Sequence, residues 1–224
     1  MDFLVSRKNV RVVAQTPPPP PPPPQRGTFL TIEPTADSLT YGNYTGTLAD
    51  GCSEVTYDWG DGTVETFESF THIAHTYAQP GRYVVKISDN LSVLGCSAPV
   101  GQPVESKVYS KLLKEVFCNA EKITVFNNGG FRQSENLVRF DIADSAVTTL
   151  RSHLCYGCTR LAGKIDLPHV IDAEGGNTSA PFVGCDALEE LCFAKANEQA
   201  IRNSAAFKAE PPFGAPNAVI SFDL

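Results

Sequence analysis

Short runs in which apolar and polar residues alternate, not the three-to-four spacing of helices, mark most of this chain. Thr28-Phe29-Leu30-Thr31-Ile32 alternates, as do Glu54-Val55-Thr56-Tyr57-Asp58-Trp59 and Tyr83-Val84-Val85-Lys86-Ile87, and Ser92-Val93-Leu94 is a shorter run. Side chains on a strand change face at every residue, so such runs read as half-buried strands. Gly60-Asp61-Gly62 and Pro80-Gly81 stand between them as turn residues, one pair supplying positive φ and the other a preset φ. Short strands separated by turns predict an antiparallel sandwich over residues 27–107.

From about Tyr109 the pattern becomes repetitive. An apolar residue, two variable positions, a small residue, two polar positions and a leucine recur in Phe131–Leu137, Cys155–Leu161 and Phe182–Leu188. Looser copies run over Phe117–Ile123 and Phe213–Val219. The copies start at 117, 131, 155, 182 and 213, so the intervals are 14, 24, 27 and 31 residues. Each is followed by a short alternating run: 124–126, 139–142, 164–167, 190–193 and 220–222. A unit this small cannot bury its own apolar face, so the units are expected to stack, each contributing one strand. Phe131, Phe182, Cys158, Cys185 and the leucines Leu137, Leu161 and Leu188 are the expected inward residues.

The N-terminal end differs from both halves. Residues 17–24 are eight consecutive prolines. With no N–H donors and a fixed φ, such a run forms neither helix nor sheet; as polyproline II it spans roughly 25 Å at ~3.1 Å per residue. Residues 17–26 are therefore read as a stiff spacer. Ahead of it, Asn9-Val10-Arg11-Val12-Val13-Ala14 has strand character, and residues 1–16 are expected to be a docking arm that adds to another protein's sheet. The order of the first residues, Phe3, Leu4 and Val5 before Arg7 and Lys8, is the reverse of a secretory leader. No stretch approaches the ~20 apolar residues of a spanning helix, so no membrane insertion is expected.

Two family resemblances sharpen these expectations. Tyr57-Asp58-Trp59-Gly60-Asp61-Gly62-Thr63, His75-Thr76-Tyr77 and Pro80-Gly81-Arg82-Tyr83-Val84-Val85 follow one another in order, and together they resemble the signature of PKD domains. The resemblance implies an immunoglobulin-like sandwich of a kind found mostly on extracellular and cell-surface proteins, with His75 as a structural hydrogen-bonding residue. Phe182-Val183-Gly184-Cys185-Asp186-Ala187-Leu188 and Gly157-Cys158-Thr159-Arg160-Leu161, with Leu167-Pro168, resemble the BspA-type leucine-rich repeat. That resemblance implies surface adhesion or recognition and no catalytic machinery. The expected fold is mainly β: an immunoglobulin-like (PKD-type) β-sandwich over 27–107, a short leucine-rich-repeat solenoid over 108–224, an extended N-terminal arm and a polyproline linker.

Charge and chemistry narrow the function. The net charge is −7, which disfavours nucleic acid as a partner. Seven cysteines at irregular spacing do not describe a disulfide framework; buried free thiols are the expected state, and a repeated thiol at 158 and 185 needs no metal. Asp58 and Asp61 are candidate calcium ligands, although two carboxylates fall short of a cage and a turn-capping Asp61 is the simpler role. His72, His75 and Asp61 suggest a mononuclear metal site; His153 and His169 read as loop or cap residues. Nucleophile, dinucleotide and phosphate motifs are absent from the sequence, so no cofactor is expected.

The favoured expectation is a non-catalytic binding protein displayed on a bacteriophage virion as a decoration or fibre component, held to a capsid or tail protein by residues 1–16. A bacterial cell-surface adhesin contacting a host protein or glycan is the alternative. A metal-dependent hydrolase using the histidines is the third reading. Self-association is left open, and the loops 61–64 and 175–180 are candidate contact loops.

Overall fold

The computed structural model describes residues 25–96 and 105–224; the expected docking arm and proline run lie outside these. The described chain is mainly β and is organised in several sheets. The first half supplies β1 (Gly27–Ile32), β2 (Thr40–Asn43), β3 (Thr45–Leu48), β4 (Val55–Asp58), β5 (Val64–Phe67), β6 (Ile73–Thr76), β7 (Tyr83–Ser88) and β8 (Leu91–Gly95). The alternation seen in the sequence sets their faces. Leu30, Ile32, Val55, Tyr57, Val85 and Ile87 are buried, while Val84 and Lys86 point to solvent.

The second half begins with α1 (Glu105–Leu112), which straddles the expected boundary at 107, and continues with β9 (Leu113–Cys118) and β10 (Val125–Phe126). β11 (Arg139–Asp141), β12 (Thr149–Leu150), β13 (Gly163–Leu167) and β14 (Asp172–Ala173) follow. The chain ends through β15 (Leu188–Phe193), α2 (Glu198–Asn203) and β16 (Val219–Ser221).

The sheets cross that boundary. A six-stranded sheet has the order β11-β9-β1-β7-β4-β5, with β9 antiparallel to β1 and β11 parallel to β9. A five-stranded sheet has the order β14-β12-β10-β8-β3, with β10 parallel to β8. β13, β15 and β16 form a third, all-parallel sheet, and β2 pairs with β6. Parallel neighbours need a crossover between them. Here the crossover from β9 to β11 runs through β10 of the other sheet, so from Leu113 onward the chain winds in coils. Buried side chains from both halves, Trp59 and Leu94 with Phe126, Phe140, Leu150 and Phe182, belong to one apolar cluster.

The recurring phrase marks the turn of each coil. Backbone bonds run from Cys96 N to Gly130 O, Phe131 N to Leu154 O, Cys155 N to Pro181 O and Phe182 N to Phe213 O, each 2.7–2.9 Å. The phrase starts at 131, 155, 182 and 213 therefore stack directly on one another. The looser copy at 117 does not join them: Phe117 lies in β9, half-buried on the outer face against Phe29. The turn that precedes Phe131 in the stack is the one at Cys96, and a 14-residue interval is too short for a coil that visits two sheets. For the same reason the run at 124–126 pairs with β8 and β12, in the other sheet from the strands that follow the later phrases.

Position three of the phrase explains its glycine. Gly157 and Gly184 have φ of 73° and 79°, and Gln133 occupies the same position at 59°. This left-handed conformation costs a residue with a Cβ about 1–2 kcal/mol. Position four must be small because it is fully buried in Ser134, Cys158 and Cys185.

Candidate functional site

Trp59, Asp61, His75, Tyr77 and Tyr83 converge in space and are tied to one another. Trp59 is fully buried and stacks on His75 with ring centroids 5.0 Å apart and planes at 11°. Its indole N–H donates to Glu65 at 2.6 Å, and its carbonyl accepts the Tyr77 hydroxyl at 2.9 Å. Asp61 Oδ1 accepts Thr63 N–H at 2.9 Å, and its Oδ2 meets His75 Nε2 at 2.7 Å. Burial acts to raise the Asp61 carboxyl, but the bonds from His75 and Thr63 outweigh it and hold it below the ordinary range. Tyr83 stacks on Tyr77 at 4.2 Å and donates to Gln79 O. The Gly60 N–H is taken by Asp58 Oδ1, whose other oxygen faces Lys86 at 3.4 Å.

The two candidate calcium ligands therefore turn to different partners, each accepting a turn amide. His72 is not part of this cluster; its ring packs at a tilt against Tyr44 and stacks on Tyr109. Among the described residues no three His, Cys, Asp or Glu side chains are grouped as metal ligands.

The cysteines are structural in the same sense. Six of the seven are buried thiols, with only Cys52 partly exposed. Cys158 Sγ donates to Phe131 O at 3.2 Å, and Cys185 Sγ donates to Cys155 O at 3.1 Å. Each thus reaches back to the first phrase residue of the coil before. Burial raises the Cys155, Cys158 and Cys96 thiols, the last to about 12. Such thiols are poor nucleophiles. His153 sits at φ 59° against Tyr156, and burial together with Arg132 lowers its ring below the ordinary value.

A concavity adjoins the Pro80-Gly81-Arg82 end of these residues. A groove of about 830 Å³ opens where β1 and β7 meet the α1–β9 junction. Its floor and walls are aliphatic, from Pro34, Ala36, Pro80 and Leu112, and its rim carries Glu33, Arg82, Lys111 and Lys114. Glu33 accepts both Arg82 at 3.3 Å and Lys114 at 3.3 Å, and Arg82 also reaches Glu115 at 3.0 Å. A second cleft of about 700 Å³ contains His169 with Asp144, Pro168 and Ile171. Neither groove is lined by the expected contact loops at 61–64 and 175–180.

Pro80 and Gly81 were legible in the sequence as turn residues but not as a groove wall. Arg82 stood out only as part of the same motif, and Glu33, Lys111 and Lys114 not at all. They come from three distant segments, and the only signal pointing to them was a pair of X-Pro turns next to charges.

Comparison with family models, with curated proteins and with solved structures finds no match to this chain.

Proposed function

We propose that the chain is a non-catalytic binding protein for surface display, with an immunoglobulin-like, PKD-type sandwich at 27–107 and a short BspA-type leucine-rich-repeat solenoid at 108–224. The observation that carries this reading is where the polar signature residues go. Asp61, His75, Tyr77, Cys158 and Cys185 all spend their hydrogen-bonding capacity on turns, backbone carbonyls and one another. A catalytic constellation needs such groups directed at a shared cavity. The 830 Å³ groove instead combines aliphatic walls with arginine and lysine, which is the composition of a recognition surface. The antiparallel pairing of β1, β4 and β7 supports the sandwich half. The stacked phrase turns and parallel strands support the solenoid half.

The basic, strand-like residues 1–16 ahead of eight prolines have the composition of a tether. We assign them to anchoring the body to a capsid or tail protein, which makes the chain a virion accessory protein. The test is fractionation of the producing cells and of purified particles with an antibody to the folded body. Recovery on intact particles, lost when residues 1–16 are removed, is the expected result. Recovery only in envelope fractions would replace the virion reading with that of a cell-surface adhesin.

A further inference from the structure

We propose that the groove between Pro34, Pro80 and Leu112 binds an extended peptide segment of a partner protein, one that places a carboxylate side chain beside an aliphatic one. This rests on the reading of the chain as a binding protein and names the site and the partner's chemistry.

Charge is the first argument. The chain as a whole carries −7, yet the groove lining holds three cations, Arg82, Lys111 and Lys114, against the single carboxylate of Glu33, with Glu115 and Glu135 outside the lining. Glu33 is shared between Arg82 and Lys114 at 3.3 Å each, so one negative charge is divided between two positive ones. Arg82 has a second partner in Glu115 at 3.0 Å. Lys111 is the least committed: its nearest carboxylate, Glu135, is 3.8 Å away, and both side chains are more than half exposed. A pair of that kind contributes little and exchanges readily. An incoming carboxylate thus finds one available ammonium at the rim and two more held in place behind it.

The walls are preformed. Glu33 N–H donates to Leu112 O at 2.8 Å, and Gly81 N–H donates to Pro34 O at 3.1 Å. Asn136 Nδ2 donates to Lys111 O at 2.8 Å. The backbone carrying Lys111 and Leu112 is therefore pinned from both sides, and binding does not have to order it.

The apolar part decides the class of ligand. Pro34, Ala36, Pro80 and Leu112 offer aliphatic surface, and no aromatic ring lines the groove among the described residues. Sugar rings are held by stacking on aromatic faces, whereas a leucine- or valine-sized side chain fits an aliphatic floor. The peptide is favoured over an anionic glycan on that ground.

The test uses the full chain, labelled with ¹⁵N, and a blocked peptide of alternating leucine and aspartate. Hexanoate, oligogalacturonate and the same peptide with asparagine for aspartate are run beside it. The expected result is saturable shifts of the Gly81, Lys111, Leu112 and Asn136 amides with the aspartate peptide. The affinity should fall about tenfold in Lys111→Glu, the size of one charge-assisted contact, and should fall again as salt rises. Lys111→Glu alters an exposed position, and an unchanged spectrum elsewhere certifies its fold. No localised shift, equal binding by Lys111→Glu, equal binding of the asparagine peptide, or tighter binding of hexanoate or oligogalacturonate than of the peptide would each overturn the proposal. Peptide binding by a protein absent from purified particles would remove the virion reading alone.

Discussion

The left-handed third position of the phrase gives a pair of substitutions with opposite signs. At Gly184, φ is 79° and an added Cβ would meet Gly157 Cα at 3.4 Å, an ordinary contact. Gly184→Ala therefore incurs the conformational penalty without a clash. That penalty is about 1–2 kcal/mol, offset by about 0.4–1 kcal/mol from the stiffer unfolded chain. The net destabilisation is about 1 kcal/mol, or about 2–4 °C in Tm for a body of this size. Gln133 holds the same position at 59°. Its backbone N–H bonds to Tyr156 O at 2.7 Å, a contact that any residue would keep. Gln133→Gly is therefore expected to raise Tm, by about the amount that Gly184→Ala lowers it. Urea and thermal unfolding followed by circular dichroism would measure both. If alanine at 184 leaves the midpoint unchanged while glycine at 133 lowers it, the third position is not set by backbone conformation and the account of the phrase fails.

Four further outcomes are expected. Phe182→Ala, which empties a fully buried site, should cost about 3–5 kcal/mol; because the core runs through both halves, the Trp59 fluorescence transition should move with the circular-dichroism transition, and a fluorescence midpoint left in place would refute the shared core. With an aromatic disulfide reagent, the native protein should show one fast thiol, Cys52, and six slow ones, and several fast thiols would contradict the burial. The raised thiols of Cys96, Cys155 and Cys158 add stability that is fully present below the unfolded thiol value of about 8.5 and is lost as pH rises from there toward the folded values, so urea midpoints should decline between pH 8 and 10 and a flat profile would count against it. The lowered carboxyl of Asp61 works in the opposite direction, its contribution being present above the unfolded value of about 3.9 and lost as pH falls through the folded one; Asp61→Ala should cost about 1–2 kcal/mol at pH 7 and flatten the acid limb of the stability profile.

Particular residues show what the sequence could and could not reveal. β1, β4, β7 and β8 were readable because β-branched and aromatic residues cluster in short runs whose inward positions, such as Leu30, Tyr57 and Val85, are apolar. β2 was not, because Asn43 is a polar residue in a fully buried position and Gly42 carries no side chain, so the period is hidden. The phrase was readable from Phe131 onward because stacked coils demand the same residue at the same turn. Its false copy at Phe117 matched by composition, and only the strand pairing of β9 with β1 exposes the difference. At the other end the last phrase residue, Val219, is 63% exposed, unlike the buried Leu137, Leu161 and Leu188, because no further coil covers it among the described residues. The groove was illegible for a topological reason: Glu33, Arg82 and Lys111 meet only because β7 and β9 flank β1 on opposite sides.

That flanking has a mechanical consequence. The proposed tether enters the body at Gly27, the first residue of β1, and β1 is an interior strand with antiparallel neighbours on both sides. The entry is clamped: Asn119 Oδ1 accepts Gly27 N–H at 2.9 Å, and Arg26 bonds to Asn119 O and pairs with Glu121. A pull along the spacer would load β1 lengthwise, so that its ladders to β7 and β9 resist together in shear. A tether joined to an edge strand such as β5 would instead peel its bonds away one at a time. Tension arriving through the proposed tether would thus fall on an interior strand and not on an edge.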